Sequence, residues 1–398
     1  MSDRVGRRAL VFAAICVFSY LVNFGRVAFA PLVQPFMQVF HVQEGTAGLV
    51  ATMAWLGSAL PRLPTGYLLT RAERHHVILG MGVFMVGAAA FIALAPTIAF
   101  VAAGALLVGS ASGVFYIAAN PLVSELYPDR VGWAVGVRGA SSQTAAVTAP
   151  LLVALAVAVL DWRWVFGAMA VVAVFATAAF FLASRRADLP EAGVEDRHLL
   201  RAVREQWRLV LTGVALLGLT GFMWQGIFNF YVPYVTTAKG LSSGTANTLL
   251  TVVFLAGLPA FFLSGRIADR VPYVPYILAI MAAFVACVLA LTAVTGVVGV
   301  AAVSVVLGYV IHSIFPSMDT YLLDTLPDAH RASAYSAYSA TMMLMQAPGS
   351  LVVGTLVESG VGYGTVFRTY MGVLAVLVVV LFALYRAGRL PTDGSPGA

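Results

Sequence analysis

The chain has 398 residues, of which 61% are hydrophobic and 10% charged, and its net charge is +6. That balance excludes an ordinary water-soluble globular domain, in which charged residues make up about 25%. The positive total does not imply a nucleic-acid partner, because where the charges fall along the chain matters more than their sum.

Apolar runs recur along almost the whole length. A run of about 20 residues, rising about 1.5 Å each, crosses a hydrocarbon core of about 30 Å. Such runs are helices, because an isolated strand in lipid leaves its amides unpaired, and the alternating polar positions of a barrel lumen are missing. In chain order the predicted spans are 9–37, 46–69, 76–96, 98–124, 133–160, 163–184, 207–235, 244–265, 274–295, 297–323, 333–357 and 365–386. The fold class is therefore an all-α membrane protein of twelve transmembrane helices. The first run follows the basic leader Arg4, Arg7, Arg8 and is interrupted by Asn23 and Arg26. It is too long for the apolar core of a cleaved signal peptide, so it is read as a retained span. Cys16 and Cys287 fall inside spans, which leaves no cysteine framework for a disulfide or a metal cluster.

An even number of spans puts both termini on one side. The segments on that side carry Arg4, Arg7, Arg8, Arg71, Arg74, Arg130, Arg185, Arg266, Arg270, Arg331 and Arg386 among others, and the opposite loops only Arg163, Lys239 and Arg368. By the positive-inside rule the termini are expected in the cytoplasm and the chain in the cell membrane. The polar stretch after residue 184 divides the chain. The expected organisation is a six-helix bundle over 1–184, a cytoplasmic linker over 185–206, a second bundle over 207–390 and a disordered tail over 391–398.

The two bundles repeat each other at a constant offset of 199 residues. Gly45-Thr46-Ala47 returns as Gly244-Thr245-Ala246, and Gly66 with Arg71 returns as Gly265 with Arg270. Glu125-Leu126-Tyr127-Pro128-Asp129 returns as Asp324-Thr325-Leu326-Pro327-Asp328. Three matches in register, each at the same membrane depth, mark a parallel repeat with a binding site near the midplane.

Gly66-Tyr67-Leu68-Leu69-Thr70-Arg71-Ala72-Glu73-Arg74-His75 resembles the signature of the major facilitator superfamily, Gly-x-x-x-Asp-Arg-x-Gly-Arg-Arg between spans two and three. Thr70 replaces the acid and Glu73 the second glycine. The second copy, Gly265-Arg266-Ile267-Ala268-Asp269-Arg270, keeps the acid and loses the later basic pair, and Asp161-Trp162-Arg163-Trp164 is similar to a Trp-Arg element common in that family. The resemblance implies a secondary transporter working by alternating access. Gly66, Arg71, Arg74, Gly265, Asp269, Arg270 and Arg331 are its cytoplasmic gating candidates. It also implies that spans one, two, four, five and their counterparts line the pathway.

An Arg near the bilayer centre costs about 2.5–3.5 kcal/mol even on the lenient insertion scale, so each one needs a reason. Arg26, Arg62 and Arg138 lie in spans one, two and five, and Asp319 in span ten. Three guanidinium groups against one carboxylate favour an anion. Asn23, one turn before Arg26, joins it. Leu60-Pro61-Arg62-Leu63-Pro64 resembles the Arg-x-Pro element of nitrate and nitrite porters, but the Gly- and Asn-rich signatures of those proteins are missing and nitrate is not expected. Arg138 has the alternative of snorkelling to the headgroups. Asp319 is expected to neutralise an Arg or carry a proton, with His312 on nearly the same face as a second coupling candidate. Gln225, Asn229, Tyr335, Tyr338 and Gln346 are expected to complete a mixed wall suited to a carbon skeleton.

The expected function is transport of a small organic anion, driven by a proton gradient or by the substrate's own gradient, by a monomer in the lipid bilayer. Export of hydrophobic compounds by the same fold and a non-transporting receptor are the alternatives. No nucleotide-binding loop, catalytic constellation, metal site or cofactor motif is found, with His75 and His76 assigned to a loop and His312 lacking a partner.

Overall fold

The computed structural model describes residues 2–69, 71–185, 189, 204–268, 270–326 and 331–391. The chain divides into two compact units, Met1–Val42 with Leu49–Asp196 and Gln43–Gly48 with Arg197–Ala398. Most of the linker expected over 185–206, nearly all of the tail expected over 391–398, and Asp269 lie outside the described residues.

The first unit holds helices α1 (Ser2–Val27), α2 (Phe29–Phe40), most of α3 (Glu44–Ala59), α4 (Arg62–Leu68), α5 (Arg74–Ala93), α6 (Ile98–Leu126), α7 (Val131–Val159) and α8 (Arg163–Ser184). The second holds α9 (Trp207–Gly213), α10 (Leu219–Asn229), α11 (Tyr231–Lys239), α12 (Ser243–Ala268), α13 (Tyr273–Ala293), α14 (Gly296–Thr325), α15 (Arg331–Gln346), α16 (Gly349–Glu358) and α17 (Tyr363–Arg386). A π-helical turn, Val214–Gly218, joins α9 to α10. Among the described residues, 11 helical segments are long and apolar enough to cross a membrane. They coincide with eleven of the expected spans, and the second expected span is the broken pair α3 and α4.

Proline explains where spans break. Its ring strikes the carbonyl four residues back and its nitrogen has no proton to donate. Pro31 acts on Val27, where α1 ends, and Pro233 on Asn229, where α10 ends. Pro61 and Pro64 interrupt the second span between α3 and α4, and Pro348 separates α15 from α16. Pro121, Pro150, Pro259 and Pro316 by contrast lie inside continuous helices, so proline permits a break without dictating one.

In the first unit α1 packs on α6, α7 and α8, and in the second α14 packs on α12 and α13. Close approach depends on glycine. A Cβ on Gly109 of α6 would strike the Ala54 carbonyl of α3, and one on Gly308 of α14 the Val253 carbonyl of α12. Lys239, at the end of α11, donates to the carbonyls of Thr292 and Val294 at 3.0 and 2.6 Å and so closes the C-terminal end of α13. Partial burial, with Arg368 adding repulsion, holds that ammonium below its ordinary pKa.

Candidate functional site

Arg26 sits at the end of α1 with 7% of its surface exposed. Its Nη2 donates to Asn23 Oδ1 at 2.7 Å and to the Tyr116 hydroxyl at 3.4 Å, and its Nη1 lies 3.5 Å from Ser58 Oγ. The guanidinium carbon stands 4.7 Å from the Trp55 ring centroid and 5.2 Å from that of Tyr116. Such stacking gives roughly 0.5–2 kcal/mol and cannot neutralise the charge. Among the described residues no carboxylate pairs with Arg26 or Arg138.

The cage extends to α7. Arg138 stacks on the Tyr116 ring at 5.3 Å from its centroid, and the Tyr116 hydroxyl shares a hydrogen bond of 2.9 Å with Ser142 Oγ. Asn23 Nδ2 donates to the Ser142 carbonyl at 2.7 Å, which fixes the side chain that Arg26 uses. Arg62, at the start of α4, donates from Nε to the Ser58 carbonyl at 3.1 Å. Arg26 and Arg138 thus meet on one tyrosine, while Arg62 reaches the backbone of Ser58, whose hydroxyl lies beside Arg26. Four N–H groups here are buried without a hydrogen-bond partner: Arg26 Nε, Arg138 Nε, Arg138 Nη1 and Trp55 Nε1. Unmet donors in such numbers are rare in a protein interior and call for an acceptor.

Trp55, Ser58, Tyr116 and Ser142 are the members missed in the sequence. Trp55 and Ser58 precede Arg62 by seven and four residues, so helical spacing places all three on one face of the second span and could have found them. Tyr116 carries no such signal, because one aromatic in a continuous apolar helix looks like packing.

In the second unit Asp319 of α14 accepts a hydrogen bond from the Tyr335 hydroxyl of α15 at 2.7 Å, and the ring of Tyr338 lies 5.9 Å from that of Tyr335. The Tyr338 hydroxyl is buried and unpartnered. His312 does not share this group. Its Nδ1 is 2.7 Å from the Gly308 carbonyl one turn earlier, and its ring is surrounded by those of Trp224, Phe254, Phe261 and Phe315 at 5.6–6.4 Å. Phe254, Phe261 and Phe315 stand 199 residues after Trp55, Arg62 and Tyr116. The counterpart of the cationic cage is therefore an aromatic cluster around one histidine.

Gln225 and Asn229 belong to a helix seam. Asn229 Nδ2 donates to the Gln225 carbonyl and to Ser350 Oγ, both at 2.9 Å, and Ser350 Oγ donates to the Gln225 carbonyl at 3.0 Å, which joins α10 to α16. Gln346, also buried, donates to the Leu217 carbonyl at 3.4 Å. Of the gating candidates, Arg74 Nη1 pairs with Glu125 Oε1 at 2.8 Å and Arg71 stacks on Tyr67 at 4.7 Å. Gly66 lies in α4, Gly265 in α12, Arg270 is exposed just beyond α12, and α15 begins at Arg331. His75 and His76 occupy the first turn of α5 instead of a loop, because Glu73 takes the extended conformation of an N-cap and starts the helix early.

The model of the Major Facilitator Superfamily matches residues 14–297 and 214–398. The solute carrier family 2, facilitated glucose transporter member 8 of Bos taurus is 33% identical over 125 residues, 31% of this chain and 25% of that protein. The MFS-type transporter pytF of Aspergillus terreus is 24% identical over 176 residues, 43% of this chain and 58% of that protein. The chain thus matches less than two thirds of the length of either relative. In fold it is similar to a D-xylose-proton symporter, with a TM-score of 0.78, 15% identity and coverage of 98% of this chain and 99% of that one. It is also similar to a bacterial homologue of the human lysosomal transporter Spinster in an inward-facing conformation, with a TM-score of 0.74, 16% identity and coverage of 96% and 97%. Over residues 14–398, then, this chain belongs to the major facilitator superfamily and is a multi-pass membrane protein.

Proposed function

We propose that the transported molecule is a small organic anion, held in the first unit by Arg26, Arg138 and Arg62 with Asn23 and Tyr116. One observation carries this reading: Arg26 is 7% exposed and has no carboxylate partner among the described residues. An uncompensated buried ion costs several kcal/mol, and a substrate oxyanion returns that energy on binding. Guanidinium's planar fork suits a carboxylate or a phosphate ester, and the Trp55 and Tyr116 rings suit an attached carbon skeleton.

In the same reading Asp319 carries the coupling proton. Its hydrogen bond from Tyr335 and the absence of a described cationic partner leave it free to take up a proton. His312, held by its own helix and packed in aromatic rings, is the weaker coupling candidate. Transport proceeds by alternating access of the bundles 1–184 and 207–390, with both termini in the cytoplasm and the chain in the cell membrane. The Arg74–Glu125 pair joins the cytoplasmic ends of α5 and α6.

Uptake into proteoliposomes across a panel of carboxylates, phosphate esters and neutral sugars, comparing the wild type with Arg26→Ala, tests the proposal. Saturable uptake of at least one anion, reduced more than tenfold by the substitution, is expected. Transport of a neutral sugar by both proteins at the same rate would remove the anion.

A further inference from the structure

Glu73, the N-cap of α5, and His75 in its first turn are two of the residues by which this segment departs from the family signature, and His76 follows directly. The two imidazole rings are stacked with centroids 4.1 Å apart and planes 36° from parallel. Both face one carboxylate oxygen: His75 Nδ1 is 3.2 Å and His76 Nδ1 3.5 Å from Glu73 Oε2. The three residues can each offer one ligand atom, and these atoms all lie within 4.8 Å of one another. His75 Nδ1 is buried, and despite its distance from Glu73 it has no hydrogen-bond partner, so direction rather than distance fails.

A tetrahedral zinc ion with bonds of about 2.0–2.1 Å sets its ligand atoms about 3.3 Å apart. The two oxygen-to-nitrogen distances bracket that edge. Arg74, between Glu73 and His75 in sequence, pairs with Glu125 of α6 at 2.8 Å. Approach is open from the side of His76, whose side chain is 65% exposed. Helix N-termini disfavour cations, and the Glu73 carboxylate offsets that field.

We propose that Glu73, His75 and His76 form a site for a divalent d-block cation of the zinc class, with water in the fourth position, at the start of α5. Imidazole nitrogen and carboxylate oxygen are the donor set such ions take, in preference to magnesium or calcium. The site is independent of the anion reading, since it shares no residue with the Arg26 cage.

Isothermal titration of untagged full-length protein in detergent with zinc chloride, repeated with magnesium chloride, tests it. One zinc ion per chain is expected in the wild type and none of the magnesium at the same concentration. The double variant His75→Gln with His76→Gln is expected to weaken zinc binding more than tenfold, and His41→Gln to leave it unchanged. Zinc should also raise the thermal unfolding midpoint of the wild type and not that of the double variant. Should the double variant fail to fold, Glu73→Gln is the second probe, with a loss of about tenfold expected. Equal zinc affinity in wild type and variant, or no binding by the wild type, overturns the site.

Discussion

Gly109 and Gly308 stand 199 residues apart and occupy equivalent contacts, each leaving room for the carbonyl of a neighbouring helix, Ala54 in one unit and Val253 in the other. Ala54 and Val253 are themselves 199 residues apart. The repeat seen in short polar motifs therefore extends to backbone packing in the bilayer, where small residues let helices approach. Gly109→Val and Gly308→Val are each expected to destabilise their bundle by about 1–3 kcal/mol, the usual cost of overpacking. Thermal unfolding in detergent measures this, and substitution at Gly80, which meets nothing within 4 Å, serves as the neutral control.

Tyr116 joins Arg26, Arg138 and Ser142 through one ring and one hydroxyl. Tyr116→Phe keeps both stacking contacts and removes the hydrogen bonds. A loss of about 1 kcal/mol, roughly fivefold in substrate affinity, is expected. Tyr116→Ala also removes the stacking and is expected to lose more. Competition for uptake of a radiolabelled anion distinguishes the two, and equal affinities for Phe and Ala would mean the ring has no part in binding.

Much of this architecture is legible in the sequence because membrane spans have a length and charged residues inside them have a cost. Arg26, Arg62 and Arg138 are found by that cost alone, and the structure stacks Arg26 and Arg138 on one tyrosine. What is not legible is the company they keep. Trp55 and Tyr116 become recognisable only when a guanidinium lies over them, since aromatic residues in an apolar helix are more often packing. The breaks at Ala28, Pro61 and Phe230 follow from proline, yet Pro121 and Pro316 leave their helices whole, so neighbouring helices decide the outcome. The Arg74 partner, Glu125, was visible as part of the repeat but not as a partner, because the ends of α5 and α6 are brought together only by folding.

Asn229 illustrates the same limit in the other direction. A polar stripe on span seven suggests a ligand, and the structure engages its amide across a seam to Ser350. Asn229→Leu is expected to lower stability by about 1–3 kcal/mol, leaving the Gln225 carbonyl and Ser350 with one partner fewer, while substrate affinity changes less than twofold. Parallel unfolding and uptake measurements check this, and a large loss of affinity at unchanged stability would support Asn229 as a substrate contact.

Asp319, proposed to carry the coupling proton, accepts a hydrogen bond from the Tyr335 hydroxyl. Asp319→Asn is expected to abolish accumulation driven by a proton gradient while preserving exchange of anion for anion at equal pH. Loss of both activities would assign Asp319 to folding or binding instead of coupling.

The central claim is that the Arg26 guanidinium meets the negative charge of the substrate. Equilibrium binding of the transported anion to purified wild type, Arg26→Lys and Arg26→Gln tests it most directly. Wild type is expected to bind at least tenfold more tightly than Arg26→Lys, which keeps the charge and loses the planar fork, and more tightly still than Arg26→Gln. Equal affinity in all three proteins would contradict the account.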